Sequence, residues 1–178
     1  MATLALLVVV TAPLHAHHLP PGMEDIDEFE HSAALMAGLR HPLLGFDHWM
    51  IAAAIGWVVA ASLRSRKMGL SVAAAFAVGG LLGTQGVVLP GMGYSFAISM
   101  LVIGAVLLLQ KKMPAVAMLG PIALAALLTG NAHGIAWPVG SAAGSYMAGI
   151  MMTSLGMAFV GFAAQRLTQS RLATPALA

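Results

Sequence analysis

The chain has no cysteine. Disulfides and thiolate metal sites are therefore excluded. Any metal must be held by nitrogen, oxygen or methionine sulfur, a donor set that suits nickel, cobalt, copper or zinc. Charge is nearly as scarce: 8% of the 178 residues are charged and 60% are hydrophobic, where a soluble domain carries about 25% charged residues. This is the composition of an all-α integral membrane protein, one helical bundle without a soluble domain. The pI near 9.4 does not signal nucleic-acid binding, because the net charge is only +2 and the basic residues sit at the ends of apolar segments, where orientation signals belong. No phosphate-binding Walker loop occurs, so ATP hydrolysis by this chain is not a power source. No Ser nucleophile is paired with a base in a recognisable motif, and an enzyme is not expected.

Taken in order, residues 1–16 read as a signal peptide. The apolar run 4–10 is too short for a bilayer that needs about 20 residues, and Ala16 offers a small residue for cleavage. The n-region lacks Lys and Arg, and the alternative is an uncleaved anchor that would make six spans of five. Residues 17–40 form a periplasmic segment that holds every acidic residue except Asp47, together with His17, His18 and His31. Those histidines are candidates for outer metal capture; the alternative is a solvated segment, with a short helix lying on the membrane surface. The bundle covers 41–165 and a cytoplasmic tail 166–178. Its apolar segments are 42–63, 69–89, 94–109, 115–137 and 141–164. Arg64, Arg66 and Lys67 follow the first, Lys111 and Lys112 the third, Arg166 and Arg171 the fifth, and the other two loops carry no charge. The positive-inside rule then predicts five spans, N-terminus out and C-terminus in.

That topology puts two polar groups at one depth. His41, Asp47 and His48 lie in the outer half of span one, and Asn131 and His133 near the outer end of span four. Ionisable groups inside a membrane are costly and mark functional sites. In one straight helix His41 and His48 would stand roughly 10 Å apart along the axis, too far for one ion. His41 precedes Pro42, however, and is expected outside the helix, with Pro42 in its first turn. His41 either folds back or serves an outer mouth. Asp47 either compensates charge at the ion or orients a histidine. In span four, Thr129 and His133 share a face, Thr129 and Asn131 offer weaker polar contacts, and Gly130 and Gly134 form a small-residue stripe. The alternative there is a polar packing seam. Gly79 and Gly83 are expected to pack, and Gln85 and Ser99 to bond between helices. Met147, Met151 and Met152 read as gap fillers, with copper(I) ligation as the rival use.

The block His41-Pro42-Leu43-Leu44-Gly45-Phe46-Asp47-His48 resembles the HPxxGxDH signature of the HupE/UreJ family of nickel and cobalt permeases. Span spacing, the Pro90-Gly91 turn and Ala132-His133-Gly134 extend the resemblance over nearly the whole chain after the signal. It implies secondary uptake of Ni²⁺ or Co²⁺ as transported ion, no permanently bound cofactor, and a requirement for His41, Asp47 and His48. The second family pattern, FHGxAHGxE, is met in part: Thr129 stands for a histidine and Ala136 for an acid, so the metal's identity stays open. The expected partners are a divalent metal ion and the lipid bilayer, without nucleic acid and with homo-oligomerisation undecided. A metal-binding accessory or sensor without net transport is the alternative, and an intramembrane hydrolase a more distant one.

Overall fold

In the computed structural model the described residues are 31–62, 65–136 and 142–173, with side chains to Ser170. The signal segment, the acidic stretch, His17 and His18 lie outside them. The described residues form helices α1 (His31–Leu44), α2 (Phe46–Ser62), α3 (Arg66–Thr84), α4 (Ser95–Leu109, entered through a 3-10 turn Met92–Tyr94), α5 (Ala115–Ile135) and α6 (Ala143–Ala173). No strand occurs among them. Four helices are long and apolar enough to cross a bilayer. The pair α1 and α2, bent by 83° at a short break, is together long and apolar enough to make a fifth. Large apolar side chains such as Leu70, Leu108, Val116 and Phe159 point outward, as a lipid solvent allows.

The first span departs from the sequence reading. It begins at His31, runs through Pro42 as helix and breaks at Gly45. His41 is therefore helical, in the last turn of α1, and Pro42 sits near a helix end and not at a start. A proline costs one intrahelical bond, and here tertiary packing outweighs that cost. Gly38 lies against the Tyr146 carbonyl and Gly149 against Leu35 and Leu39, while Thr153 Oγ1 donates to the Leu39 carbonyl at 2.8 Å. Residues 31–41 are thus docked on α6, with Ala34, Ala37 and Gly38 buried.

The remaining elements follow local chemistry. Ser65 caps α3, its hydroxyl accepting the Lys67 N–H at 3.2 Å. The second apolar segment leaves the helix after Thr84 because Gly86 turns with φ +78°, a left-handed conformation open to glycine. Gln85 is exposed at that helix end, and its side chain bridges no helices among the described residues. The last helix does not stop at 164: its polar side chains fold back on the main chain, Thr168 on Ala164 (2.9 Å) and Ser170 on Leu167 (2.8 Å). α5 is the central helix, half buried along its span where the other three unbroken spans are less than a third. Gly79 and Gly83 of α3 lie against the Leu127 and Asn131 carbonyls, and Gly130 and Gly134 of α5 against those of Phe76 and Gly80. In lipid, where no hydrophobic effect drives helices together, such backbone contact supplies the packing.

Candidate metal centre

The centre is built around the break at Gly45. Its carbonyl receives the N–H groups of His48 (3.2 Å) and Trp49 (3.5 Å) and so starts α2. A Cβ at this position would stand 2.8 Å from Asp47 Oδ1 and 3.0 Å from His48 Cε1, and closer still to His48 Nδ1. Glycine is required here for space, since two functional side chains fill the volume a methyl would need. The 83° bend folds the end of α1 over the start of α2.

Asp47 Oδ1 accepts the His48 main-chain N–H at 3.0 Å and lies 2.8 Å from His48 Nδ1. An ionised carboxylate only accepts, so Nδ1 carries a proton and, in the neutral ring, Nε2 keeps its lone pair. His133 is set the same way: its Nδ1 lies 2.7 Å from the Thr129 carbonyl, which makes Nδ1 the donor and leaves the Nε2 lone pair of the neutral ring available to a metal. Fixing one ring nitrogen to orient the other is the usual arrangement behind metal-binding histidines. His41 joins them from α1. Ring centroids are 5.2 Å apart for His41 and His48, 5.4 Å for His41 and His133, and 4.8 Å for His48 and His133. All three are buried, and one ligand nitrogen from each lies within 4.8 Å of the others. Two imidazoles on one tetrahedral ion at about 2.05 Å hold their nitrogens roughly 3.3 Å apart, so small ring rotations would close the trio on a cation.

Aromatic rings wall the trio, a feature the sequence did not announce. Phe96 lies 4.3 Å from His48 and 5.6 Å from His133, Phe76 5.7 Å from His133, and Tyr146 5.8 Å from His41. Lone aromatics scattered over three segments carry no local signal; only the assembled bundle gathers them.

The other candidates lie elsewhere. Asp47 stands behind His48 and outside the trio. Asn131 is committed to the α3–α4 connection, donating to the Gly79 (3.1 Å) and Val87 (2.9 Å) carbonyls and accepting the Leu89 N–H (3.1 Å). It is thus a structural tie and not a site contact. The Thr129 hydroxyl reaches the Ala125 carbonyl (2.8 Å) and Ser99 Oγ (3.2 Å), so Thr129 serves the site through its carbonyl. Ser99 bonds between helices as expected, to the Ala125 carbonyl at 3.1 Å. His31 is exposed at the far end of α1, 3.0 Å from Ser145 Oγ, roughly 15 Å from His41 along the helix.

Comparison with known proteins gives this geometry its setting. The family model described as HupE / UreJ protein matches residues 4–177. The chain belongs to the HupE/UreJ family. It is 31% identical over 129 residues to Protein HupE of Rhizobium leguminosarum bv. viciae, covering 70% of this chain and 66% of the relative. The chain thus spans just under two thirds of that relative's length. No solved structure matches. This HupE/UreJ chain also has an open-sided cavity of about 330 Å³ between α2, α3, α5 and α6. His48 and His133 stand at one end, Gly69 and Phe162 at the other, and Ile51, Ile55 and other apolar residues line most of the wall.

The Asp47–His48 bond yields a test. Asp47→Ala removes the acceptor that fixes the His48 tautomer, and loss of such a partner lowers metal affinity about 10–100-fold. Asp47→Asn keeps a carbonyl acceptor and should lose less. Titration of purified protein with Ni²⁺ measures both, and equal affinity in Asp47→Ala and wild type would remove the orienting role.

Proposed function

We propose that this protein is a secondary permease for a divalent transition-metal ion, nickel or cobalt, which passes through the His41–His48–His133 trio. The observation that carries the reading is the meeting of three buried imidazoles from α1, α2 and α5, two of them held through Nδ1. A resident structural metal is normally enclosed by four protein ligands, whereas three leave positions open for water and exchange. Family membership supports handling of such an ion. The break at Gly45 adds a further element: the carbonyl-rich C-terminal end of α1 lies at the site, and a helix C-terminus favours a cation. Half-helices meeting at an ion site are a recurrent device of secondary transporters. The basic residues at the helix ends support an orientation with the trio toward the outside of a bacterial inner membrane.

The apolar wall of the cavity favours one rival, a membrane protein that holds the ion without passing it. Purified protein in sealed liposomes separates the two. Accumulation of Ni²⁺ or Co²⁺ supports the permease; binding without accumulation supports the accessory.

Metal ligation also fixes a pH dependence. Imidazole binds metal only when neutral, so protons compete with the ion as the pH falls. Uptake should therefore be full above pH 7 and fall as the pH drops toward 5. A flat profile from pH 5 to 7.5 would count against imidazole ligation at the transport site.

A further inference from the structure

The methionines of α6 take no part in the trio, and one of them sits on a seam of the fold. The helices form two groups. α1 and α2 are held against α6 by glycine contacts with backbone, at Gly38 and Gly149 for α1 and at Gly56 and Gly161 for α2. α3 is held against α5 in the same manner at Gly79, Gly83, Gly130 and Gly134, and α4 bonds to α5 through Ser99. Backbone-to-backbone packing of this kind leaves little room for movement within a group.

Between the groups the contacts differ. On one side α2 runs along α4, and Ser62 Oγ reaches Gln110 Oε1 at 3.4 Å near the basic end. On the opposite side the cavity separates α3 from α6. There Phe76 packs against the cluster that holds Tyr146, Met147 and Ile150, and the Met147 thioether is seated on Gly80, with Sδ 3.6 Å from the position a Gly80 Cβ would take. Gly80 in turn lies against Gly130 and Gly134, the turn of α5 that carries His133. The Met147 contact is therefore level with the trio. His41 and His48 belong to one group and His133 to the other, so a cation held by all three bridges the seam.

We infer that Met147 is the gate of this site: seated on Gly80, it closes the seam between the two helix groups at the level of the trio, and leaves the trio reachable through the cavity from the face that carries Lys67 and Lys112. The inference rests on the permease reading. Methionine suits the task because it is unbranched and flexible and can leave a contact without strain elsewhere. Glycine suits the seat because it presents bare backbone. Rocking of the groups about the α2–α4 contact lifts Met147 from Gly80, opens the trio to the other face and narrows the cavity. Rigid groups moving around a fixed site are the general form of alternating access, and an ion that bridges them shifts their populations by its differential binding.

The absence of native cysteine makes the test direct. Ser154→Cys places one thiol on the cavity wall, and Lys112→Cys serves as reference for the basic face. In sealed vesicles, a membrane-impermeant maleimide is expected to label Ser154→Cys from the same face as Lys112→Cys and not from the other; adding Met147→Ala should allow labelling from both. In liposomes, the Gly80→Cys/Met147→Cys pair bridged by a short, cleavable thiol reagent should lose Ni²⁺ accumulation, regain it on cleavage, and keep Ni²⁺ binding throughout. Labelling of Ser154→Cys from the opposite face or from neither with Met147 intact, no change with Met147→Ala, or undiminished accumulation by the bridged protein would each overturn the gate. If the unmodified protein accumulates no ion, the permease reading fails, and the labelling pattern decides the gate by itself.

Discussion

Removing the His133 imidazole is expected to strip the protein of its divalent ion. His133 is the trio's contribution from α5, and a centre reduced to His41 and His48 keeps two ligands on one broken span with water in place of the third. The expected loss of affinity exceeds the about 10–100-fold that removal of a hydrogen-bond partner costs a metal site. Because His133 is 2% exposed, alanine would leave a void and lower stability. His133→Phe is the paired variant: it fills the volume, offers no lone pair, and should lose the ion equally. His48→Ala should lose the same equivalent, since one shared ion cannot survive in either. Metal analysis of the purified proteins, beside their thermal midpoints, checks the result. Retention of one equivalent by a folded His133→Phe would mean the ion is held elsewhere.

The second large effect is expected at Gly45. In Gly45→Ala the new methyl stands 2.8 Å from Asp47 Oδ1 and 3.0 Å from His48 Cε1, tighter than normal contact allows. Either the His48 ring swings away or the bend relaxes, and each outcome separates His48 from His41. Ni²⁺ affinity should therefore drop as severely as in Asp47→Ala or more. The α2–α6 seam, at Gly56 and Gly161, lies further along the helix and should hold the fold. Gly104→Ala and Gly120→Ala are the controls, because nothing lies within 4 Å of the added methyl at either position. Calorimetric titration of the three variants measures the contrast. Wild-type affinity in Gly45→Ala would show that the break is not what assembles the trio.

Much of this arrangement was legible in the chain. The apolar segments and their basic ends announce a helical membrane bundle, and equal depth on two spans brings His48 and His133 to one level. The bend was not legible. Apart from Asp47 and His48 the run 42–63 gives no sign of an interruption, and its break depends on α1 docking along α6, through contacts such as Leu39 to Thr153 that join residues 114 apart in sequence. Without the bend, His41 seemed too far from His48 to share an ion, and the expected remedy, a non-helical His41 before proline, was the wrong one. Asn131 misled for a similar reason. A polar residue two positions before a candidate ligand reads as part of the site, but its carboxamide is consumed by the return of the chain at Val87 and Leu89, which a run of apolar residues to 89 concealed. Asp47 could be read from sequence as ligand or as orienter, and the 2.8 Å bond to His48 Nδ1 sets it behind the ring.

The most direct test of one cation shared by the two spans is X-ray absorption on the nickel-loaded protein. Three imidazole nitrogens at about 2.0–2.1 Å, falling to two or to an unbound spectrum in His133→Phe, is the expected result. A shell that contains no imidazole, or one identical in wild type and His133→Phe, would contradict it.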